Sequence, residues 1–401
     1  MNLNDTPEQA AFRAEVRDFI ATQVPPQYKG LRQGIVMGPG FFPAKGDSPL
    51  DVALRSKGWH APQVPTAYGG AGLDVARQVI LREEMTRAGV PLRDLAVFHH
   101  LVPVLIRFGT PAQQEKFLIP TLERKILWCQ GSSEPGAGSD LASLTTRADR
   151  VEGGFRVNGQ KIWTSLAHDA DWIFMLVRTN QQAKRKHEGI SMLLVDMKSP
   201  GITVRPIMTM DDHHHFNETF FDNVFVPEEN AVVGEIDKGW TVMRYSLGNE
   251  KFLHNLTDPM RLGNALDNLK REARDFADGA GGAVWDEQAL KREVAGLEME
   301  LDCLRSARWR AFTKAQRGQE VGEETAFFKF FAAELWQRTV DLHQRLAGPA
   351  GIAWDDEPLG PNSAEIAHHA VNIRAATIRG GTSEVARNGV AKRALDLPSG
   401  R

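Results

Sequence analysis

The sequence predicts an α+β fold of three successive parts: an N-terminal helical domain, a middle β domain and a C-terminal bundle with four helices at its core. Apolar residues recur at helical spacing until shortly before Ile126. They then alternate with a period of two as far as about Gly234, with Gly and Pro between the runs. Helical spacing returns at Gly239. The predicted domains are 1–125, 126–235 and 236–401.

Helix start signals organise the N-terminal part. Thr6-Pro7-Glu8-Gln9 has the form of a capping box, with Thr6 as N-cap and Pro7 in the first turn. Asp74 is placed to cap a later helix, and residues 28–48 predict a long loop. Residues 95–108 are strongly apolar and predict a buried helix, so we interpret its two histidines, His99 and His100, as core or cleft-lining. Further helices are predicted at 50–57 and 111–122.

Period-two patterns place strands in the middle part, at 172–177, 190–195, 202–207 and 219–226. Asn158-Gly159 is typical of a two-residue hairpin turn, so residues 155–157 and 161–163 are predicted to pair across it. The basic run at 184–187 is interpreted as an exposed hairpin tip. The triplet at 213–215, three histidines, invites a metal site, but adjacent side chains of an extended backbone point in opposite directions. We therefore predict no metal.

Long helical patterns with short connections predict the C-terminal bundle. Pro259 is expected to break or kink a first helical stretch that begins near Val242. Apolar residues at alternating three and four spacing then predict core positions. They are Leu290, Val294, Leu297, Leu301 and Leu304, followed by Phe328, Phe331, Leu335 and Leu342. The last two helices are predicted at 364–376 and 383–395.

Composition excludes several classes of function. The chain has 401 residues, 42% of them apolar and 25% charged, with a formal net charge of −3 at pH 7. This balance gives no polybasic surface for nucleic acid or anionic membrane. Two cysteines, Cys129 and Cys303, supply neither a disulfide framework nor a metal quartet. The first residues lack a signal-peptide pattern and no apolar run reaches membrane-spanning length, so we expect a cytoplasmic protein without a membrane span.

Two blocks of small and polar residues dominate the middle part. Residues 128–140 read WCQGSSEPGAGSD, and residues 158–165 read NGQKIWTS. Glycines at 136 and 138 allow close approach of a ligand to the backbone, and the serines offer hydroxyls. Two polar strand ends, one carrying Trp163, could hold a flat, hydrogen-bonding cofactor. The alternative is a solvated loop followed by an ordinary hairpin.

Together the two blocks resemble the signature of the acyl-CoA dehydrogenase family, E-P-x-A-G-S-D followed about twenty residues later by N-G-x-K-x-W-x-[ST]. The helical, β, helical order is also that of the family's fold, so the resemblance covers essentially the whole chain. It implies bound FAD between the middle domain and the bundle. The G-x-G-x-x-G and Walker motifs of other nucleotide sites are absent from the sequence.

The resemblance also implies which residues line this flavin. Those of the two blocks are Gln130, Ser132, Ser133, Trp163, Thr164 and Ser165. The Thr164-Ser165 pair is implied to lie near the reactive ring nitrogen, and Ser139 toward the thioester ligand. Amides and hydroxyls can polarise the isoalloxazine carbonyls, while an indole excludes water.

Two C-terminal segments extend the resemblance. Residues 344–351, QRLAGPAG, resemble the family's glycine turn for the diphosphate-adenosine part of a neighbouring subunit's FAD, with Gln344 and Gly348 as implied contacts. Residues 380–384, GGTSE, resemble the G-T-S-[EQ] turn near the adenosine end, with Thr382 and Glu384 as implied contacts. The same residues also fit a helix-ending turn and an N-cap, and both interpretations can hold together.

The implied reaction requires a base for the α proton of a thioester. In many family members a Glu directly precedes the G-T-S turn, but this chain has Gly380 there. A second family pattern, L-x-x-E-R on the first bundle helix, corresponds to residues 247–251, LGNEK. Glu250 is therefore the candidate base, and its alternative role is an exposed helix charge. The family's R-x-x-F-G-x-P-L segment is broken at Arg274, so no arginine is assigned to the flavin diphosphate.

The resemblance thus implies an FAD-dependent acyl-CoA dehydrogenase of lipid metabolism, as in fatty acid β-oxidation. It would form a trans-2-enoyl-CoA and pass electrons to an electron-transfer flavoprotein. The alternatives are a flavin monooxygenase or oxidase on the same scaffold, and a companion subunit of a heteromeric dehydrogenase. A homotetramer or homodimer is expected. Straight-chain, branched, dicarboxylic, aromatic and steroid side-chain thioesters all remain open as substrates.

Overall fold

The computed structural model describes residues 5–30, 48–91, 96–229, 231–275, 284–317, 319, 324–355 and 363–398. The chain forms two compact units. The first, which we call the bundle unit, comprises Met1–Met37, Asp74–Leu92 and Lys251–Arg401. The second, the sheet unit, comprises Gly38–Leu73 and Arg93–Glu250. The division into three domains at 125 and 235 stays a prediction.

Ten α-helices are described, and most begin and end where the sequence patterns predict. They are α1 Pro7–Thr22, α2 Pro49–Ser56, α3 Val75–Arg87, α4 Ala96–Phe108, α5 Pro111–Leu122, α6 Gly239–Asp275, α7 Gln288–Gln316, α8 Glu324–Leu346, α9 Ser363–Asn372 and α10 Ser383–Gly389. The capping box of α1 is confirmed, since Thr6 Oγ1 accepts the Gln9 backbone N–H at 3.2 Å and Gln9 Oε1 accepts that of Thr6 at 2.9 Å. Asp74 caps α3 through the Arg77 N–H. Most of the predicted loop at 28–48 lies outside the described residues.

The bundle unit has a core of apolar side chains from α6, α7, α8 and α9. All five predicted positions on α7 are buried, as are Phe328, Leu335 and Leu342 on α8, while Phe331 packs half-buried against them. Of the predicted break or kink at Pro259, the break is wrong, because α6 continues through this residue to Asp275; the kink stays a prediction. A proline removes only one backbone hydrogen bond, so packing of the flanking turns can maintain the helix. Leu262, Leu266 and Leu269 supply that packing.

Seven strands are described in the sheet unit: β1 Trp128–Gly131, β2 Arg147–Val151, β3 Gly154–Lys161, β4 Trp172–Arg178, β5 Ile190–Asp196, β6 Ile202–Ile207 and β7 Phe216–Pro227. Their order is β1-β4-β2-β3-β7-β6, and β5 pairs with β4. Alternate residues of β4 enter two cores, one of which also contains α4 and α5. His99 and His100 of α4 are buried, as predicted. The basic run at 184–187 lies between antiparallel β4 and β5, as an exposed hairpin tip.

The predicted hairpin at Asn158-Gly159 is wrong. Both residues lie inside β3, and the hairpin is formed by β2 and β3 around residues 152–153. The register of β3 against β7 shifts between Val157 and Gly159, so the Asn-Gly pair forms an irregularity of the strand. The backbone at Gly159 has φ +147°, and a Cβ there would lie 2.6 Å from Thr146 Oγ1. Glycine is thus required by close approach of Thr146 rather than by a turn.

Replacing Gly159 by alanine is expected to lower the free energy of unfolding by about 2–3 kcal/mol, because the new methyl group overlaps Thr146 and the backbone is strained. Urea unfolding measures this effect. Gly153→Ala is the matched control, since Gly153 also has a positive φ (+75°) but a Cβ there would meet only Phe225 Cζ, at 3.9 Å. We expect the control to cost about 1 kcal/mol. Equal costs for the two variants would contradict the steric explanation.

Among the described helices, none is long and apolar enough to cross a membrane.

Candidate functional site

The two sequence blocks meet in the sheet unit. Strand β1 ends at Gly131, and the loop that follows runs beside the end of β3. The Ile162 N–H donates to the Ser133 carbonyl at 3.0 Å, and Lys161 Nζ lies 3.3 Å from the Ser132 carbonyl. Gln130 Nε2 donates to Ser132 Oγ at 3.1 Å. The end of the first block therefore lies beside Lys161 and Ile162 of the second, and the predicted grouping of residues 130–133 with residues 163–165 around a flavin stays a prediction.

A buried ion pair joins the blocks. Lys161 Nζ lies 2.8 Å from Glu134 Oε1, and the two side chains are 0% and 4% exposed. The carboxylate also accepts the backbone N–H groups of Thr145 (2.6 Å) and Thr146 (2.9 Å). The Glu134 carboxylate thus accepts from one ammonium group and two backbone N–H groups. Such compensation is the condition for keeping a charge inside a protein.

The pKa values reflect this environment. Burial favours the neutral acid, but the Lys161 charge and the hydrogen bonds from Lys161, Thr146 and Thr145 outweigh it and hold the pKa of Glu134 at about 2. Burial lowers the pKa of Lys161 to about 8, against the opposing effect of Glu134. Both groups are therefore charged at pH 7. Both residues lie in the two sequence blocks, but the sequence alone assigned them no role. The available signal was an acidic residue in one block and a basic residue in the other.

Trp163 and Thr164 differ sharply in exposure. Trp163 has φ +60° and is 54% exposed, and its indole contacts the Phe216 ring edge to face at 5.8 Å between centroids. Thr164 is fully buried, yet its Oγ1 has no hydrogen-bond partner among the described residues. Ser165 is half-buried. An exposed indole beside an unsatisfied buried hydroxyl is an arrangement that a bound aromatic group with polar edges would complete.

The loop between the blocks is open. Gly136, Gly138 and Ser139 are all exposed. Neither glycine has a positive φ, and a Cβ at either would meet no atom within 4 Å. Among the described residues nothing requires glycine at these positions, and the close approach of a ligand there stays a prediction.

The predicted C-terminal contacts lie in the bundle unit. Gln344, at the end of α8, donates from Nε2 to the Gly351 carbonyl at 3.0 Å, and Gly348 has φ +54°. Thr382 is the N-cap of α10 and accepts the Val385 N–H at 3.2 Å. Both local interpretations, the helix-ending turn and the N-cap, are thus present. Glu384 is exposed, and the hydroxyl of its neighbour Ser383 is buried with no hydrogen-bond partner among the described residues.

The structure describes the surroundings of position 380 but not those of the Glu250 side chain. Glu250 lies within α6, but its side chain is outside the part of the chain whose surroundings are described. Gly380 has φ +66°, and a Cβ there would meet no atom within 4 Å. A glutamate at position 380 would therefore have room but a strained backbone.

The histidine triplet lies directly before β7, which begins at Phe216. His213 and His215 stack with centroids 5.3 Å apart, and His214 stacks instead on His168 at 4.1 Å. Within the described ranges, no group of three His, Cys, Asp or Glu side chains could hold a metal ion.

The fold and the joined blocks together define a class of flavin-dependent oxidoreductase, and family profiles identify it. The profiles described as acyl-CoA dehydrogenase N-terminal, middle and C-terminal domains match residues 6–125, 129–224 and 237–395. The chain belongs to the acyl-CoA dehydrogenase family. Its members are oxidoreductases and flavoproteins.

Individual relatives agree. The chain is 35% identical to acyl-CoA dehydrogenase FadE34 of Mycobacterium tuberculosis over 92% of its own length, but it spans only 49% of that protein. It is 34% identical to acyl-CoA dehydrogenase IpdE1 of Mycolicibacterium smegmatis, over 98% of each chain. Among solved structures, it is similar to the Tcur3481-Tcur3483 steroid ACAD, with a TM-score of 0.84, 28% identity and full coverage of both chains.

Proposed function

We propose that this chain binds FAD and dehydrogenates an acyl-CoA thioester between its α and β carbons. The observation that supports the proposal is the junction of the two blocks, where the Ile162 N–H donates to the Ser133 carbonyl. We call the residues that flank this junction, Gln130–Ser133 and Trp163–Ser165, the flavin wall. Its exposed indole, its unsatisfied Thr164 hydroxyl and the nearby open glycine loop suit a flat ligand with polar edges.

The residues of the flavin wall would act by contact and orientation. Side chains of Gln130, Ser132 and Ser133 would donate to the carbonyl edge of the ring, and Thr164 Oγ1 would find there the partner that it lacks among the described residues. The Trp163 indole would cover the ring against water. Gln344 and Gly348 would contact the diphosphate-adenosine part of a neighbouring subunit's FAD, and Thr382 and Glu384 would lie near the adenosine end. When bound, FAD supplies the acceptor for the β hydride.

Glu250 would remove the α proton. A hydrogen-bonded thioester carbonyl makes that proton acidic, and a carboxylate in a site that excludes water has its pKa raised toward neutrality. Family resemblance and the glycine at position 380 support this assignment. Ser139, on the exposed loop, would contact the thioester ligand. Electrons would then leave to an electron-transfer flavoprotein.

The substrate class is addressed by the similarity to a steroid ACAD. It favours a bulky, steroid-derived thioester over a straight-chain one, and it moves the expected setting from fatty acid β-oxidation toward steroid side-chain breakdown. A cytoplasmic location remains the expectation.

An anaerobic panel of acyl-CoA thioesters tests the proposal directly. Purified protein with bound FAD is mixed with straight-chain, branched, dicarboxylic, aromatic and steroid side-chain thioesters, and the flavin absorbance near 450 nm is followed. We expect bleaching by at least one thioester without oxygen, with the steroid thioester strongest. Bound FAD that no thioester bleaches anaerobically, but that turns over with oxygen and another substrate, would support a monooxygenase or oxidase instead.

A companion subunit is the second candidate function, and glycine at position 380 favours it because the usual catalytic carboxylate is missing there. The similar solved steroid ACAD, too, carries two protein names, Tcur3481 and Tcur3483. A homotetramer or homodimer is the competing assembly. Expression of this chain alone separates the two: a yellow, active oligomer supports the homomeric enzyme, and a colourless chain that gains FAD only with a second subunit supports the heteromer.

A further inference from the structure

Asn217 lies outside both sequence blocks, yet it forms several hydrogen bonds with the flavin wall. It is the second residue of β7 and is 0% exposed. Its backbone pairs with Thr164 in both directions, with N···O distances of 3.0 and 3.1 Å. Its side chain adds a third bond, from Nδ2 to the Thr164 carbonyl at 3.0 Å. Asn217 thus holds the backbone of Thr164 from two sides.

The other side of the Asn217 amide is held by two histidines. Oδ1 lies 2.7 Å from His214 Nε2, and His168 Nδ1 lies 3.1 Å from Nδ2 and 3.3 Å from Oδ1. One arrangement satisfies the amide fully: His214 donates from Nε2, while Nδ2 donates one hydrogen to Thr164 and the other to His168 Nδ1. The two imidazoles stack at 4.1 Å with 28° between their planes, which fixes both rings.

The histidine pair borders a cavity of about 560 Å³ that also has Lys198, Asp169 and Pro206 in its wall. His168 and His214 are therefore partly reached by solvent, whereas Asn217 and Thr164 are not. The residue preceding Thr164, Trp163, has a left-handed backbone that costs about 1–2 kcal/mol in a non-glycine residue. A strained residue with a half-exposed side chain stays in place only if its neighbours are fixed.

We propose that Asn217, supported by His214 and His168, is a positioning residue that sets the Trp163–Thr164 edge of the flavin wall. Its buried amide holds the Thr164 carbonyl, and this keeps the Thr164 hydroxyl and the Trp163 indole aimed at one ligand. The proposal gives a role to one histidine of the triplet without any metal. It rests on the proposed function only in taking FAD as the ligand of this edge.

Substitutions at Asn217 test the proposal through FAD binding, independent of turnover. Asn217→Asp keeps an acceptor for His214 but removes the donor to Thr164, and Asn217→Ala removes both. We expect each to raise the Kd for FAD about tenfold, by loss of one buried hydrogen bond, and to alter the visible circular dichroism of the bound flavin. His214→Phe keeps the stacking but removes the donor, and we expect about a threefold rise.

Glu218→Ala is the matched control on the same strand. Glu218 accepts from Gln160 Nε2 at 2.9 Å, and among the described residues it forms no hydrogen bond with Thr164, so its loss removes a half-buried side-chain hydrogen bond elsewhere on the strand. We expect wild-type FAD affinity and wild-type flavin circular dichroism from this variant. If the Asn217 variants do not fold, the Kd for FAD and the flavin circular dichroism of His214→Phe, at a half-buried position, test the proposal.

The outcomes separate this inference from the reaction. Wild-type Kd and circular dichroism in Asn217→Asp and His214→Phe, with only a lower melting temperature, would overturn the positioning role and leave the dehydrogenase proposal standing. Weakened FAD binding in both variants supports the role even if no thioester bleaches the wild-type flavin. A wild-type chain that binds no FAD would overturn both.

Discussion

Replacing Lys161 by methionine is expected to lower the free energy of unfolding by about 3–5 kcal/mol, because the buried Glu134 carboxylate then has no cation. Lys161 Nζ is the charged group nearest to that carboxylate, at 2.8 Å, and neither side chain reaches solvent to an appreciable extent. Urea unfolding of the FAD-free chain measures the loss without reference to catalysis. Since the pair joins the two blocks of the flavin wall, we also expect weaker FAD binding.

Two further variants isolate the buried charge as the cause. In Glu134→Gln combined with Lys161→Met no charge is left behind, so we expect more than half of the lost stability to return. Lys186→Met removes an exposed ion pair of similar length, 2.7 Å to Asp140, and should cost no more than about 1 kcal/mol. A Lys161→Met variant as stable as Lys186→Met would contradict the explanation.

The pH dependence of these variants has a definite sign. The folded-state pKa of Glu134, about 2, is below its ordinary 4.5, so the pair stabilises the wild type above pH 4.5. That contribution is lost as the pH falls through 2. In Lys161→Met the carboxyl stays buried without its cation, so protonation relieves the penalty as the pH falls. The stability gap between wild type and variant should therefore narrow between pH 7 and pH 3, as urea unfolding at several pH values would show.

Local signals in the sequence were sufficient for most of the helices. The Thr6 cap needs only Gln9, and the α7 core positions need only their own spacing, because each depends on neighbours within one or two turns. The Asn158-Gly159 signal is equally local, but it failed. Glycine at 159 is required by Thr146, in the neighbouring strand region, and no pattern of adjacent residues reports such a contact.

For the candidate site, too, some features could be predicted from the sequence and others could not. Resemblance supplied the residues of both blocks, and the structure brings Ser132 and Ser133 of the first beside Lys161 and Ile162 of the second. Their contacts to a flavin stay a prediction. The residues that hold the blocks in place were missed. Glu134 and Lys161 are 27 positions apart and Thr164 and Asn217 are 53 apart, so their pairing depends on strand order rather than on spacing. The signal for the first pair was a glutamate in one block and a lysine in the other, since charged residues of opposite sign pair when they are buried.

Glu250→Gln is expected to slow flavin reduction by an acyl-CoA thioester by a factor of about 10²–10⁴, because the amide cannot accept the α proton. Gln is nearly isosteric with Glu, so FAD affinity and the melting temperature should stay at wild-type values. Anaerobic stopped-flow measurement of flavin bleaching gives the rate, and exchange of the α proton with deuterated water gives the proton step alone. Both should fall together if Glu250 is the base.

Position 380 offers a rescue that a merely structural role for Glu250 would not allow. Gly380→Glu, added to Glu250→Gln, places a carboxylate where many relatives have theirs, and no atom within 4 Å of the new Cβ obstructs it. Its positive φ, +66°, makes the substitution cost about 1–2 kcal/mol, so we expect partial recovery, of about tenfold, in the reduction rate. Full activity of Glu250→Gln alone would remove Glu250 from the mechanism. If Glu250→Gln loses both activity and bound FAD, Glu250 is instead a structural residue of α6. A base that acts only on the α proton does not contribute to FAD binding.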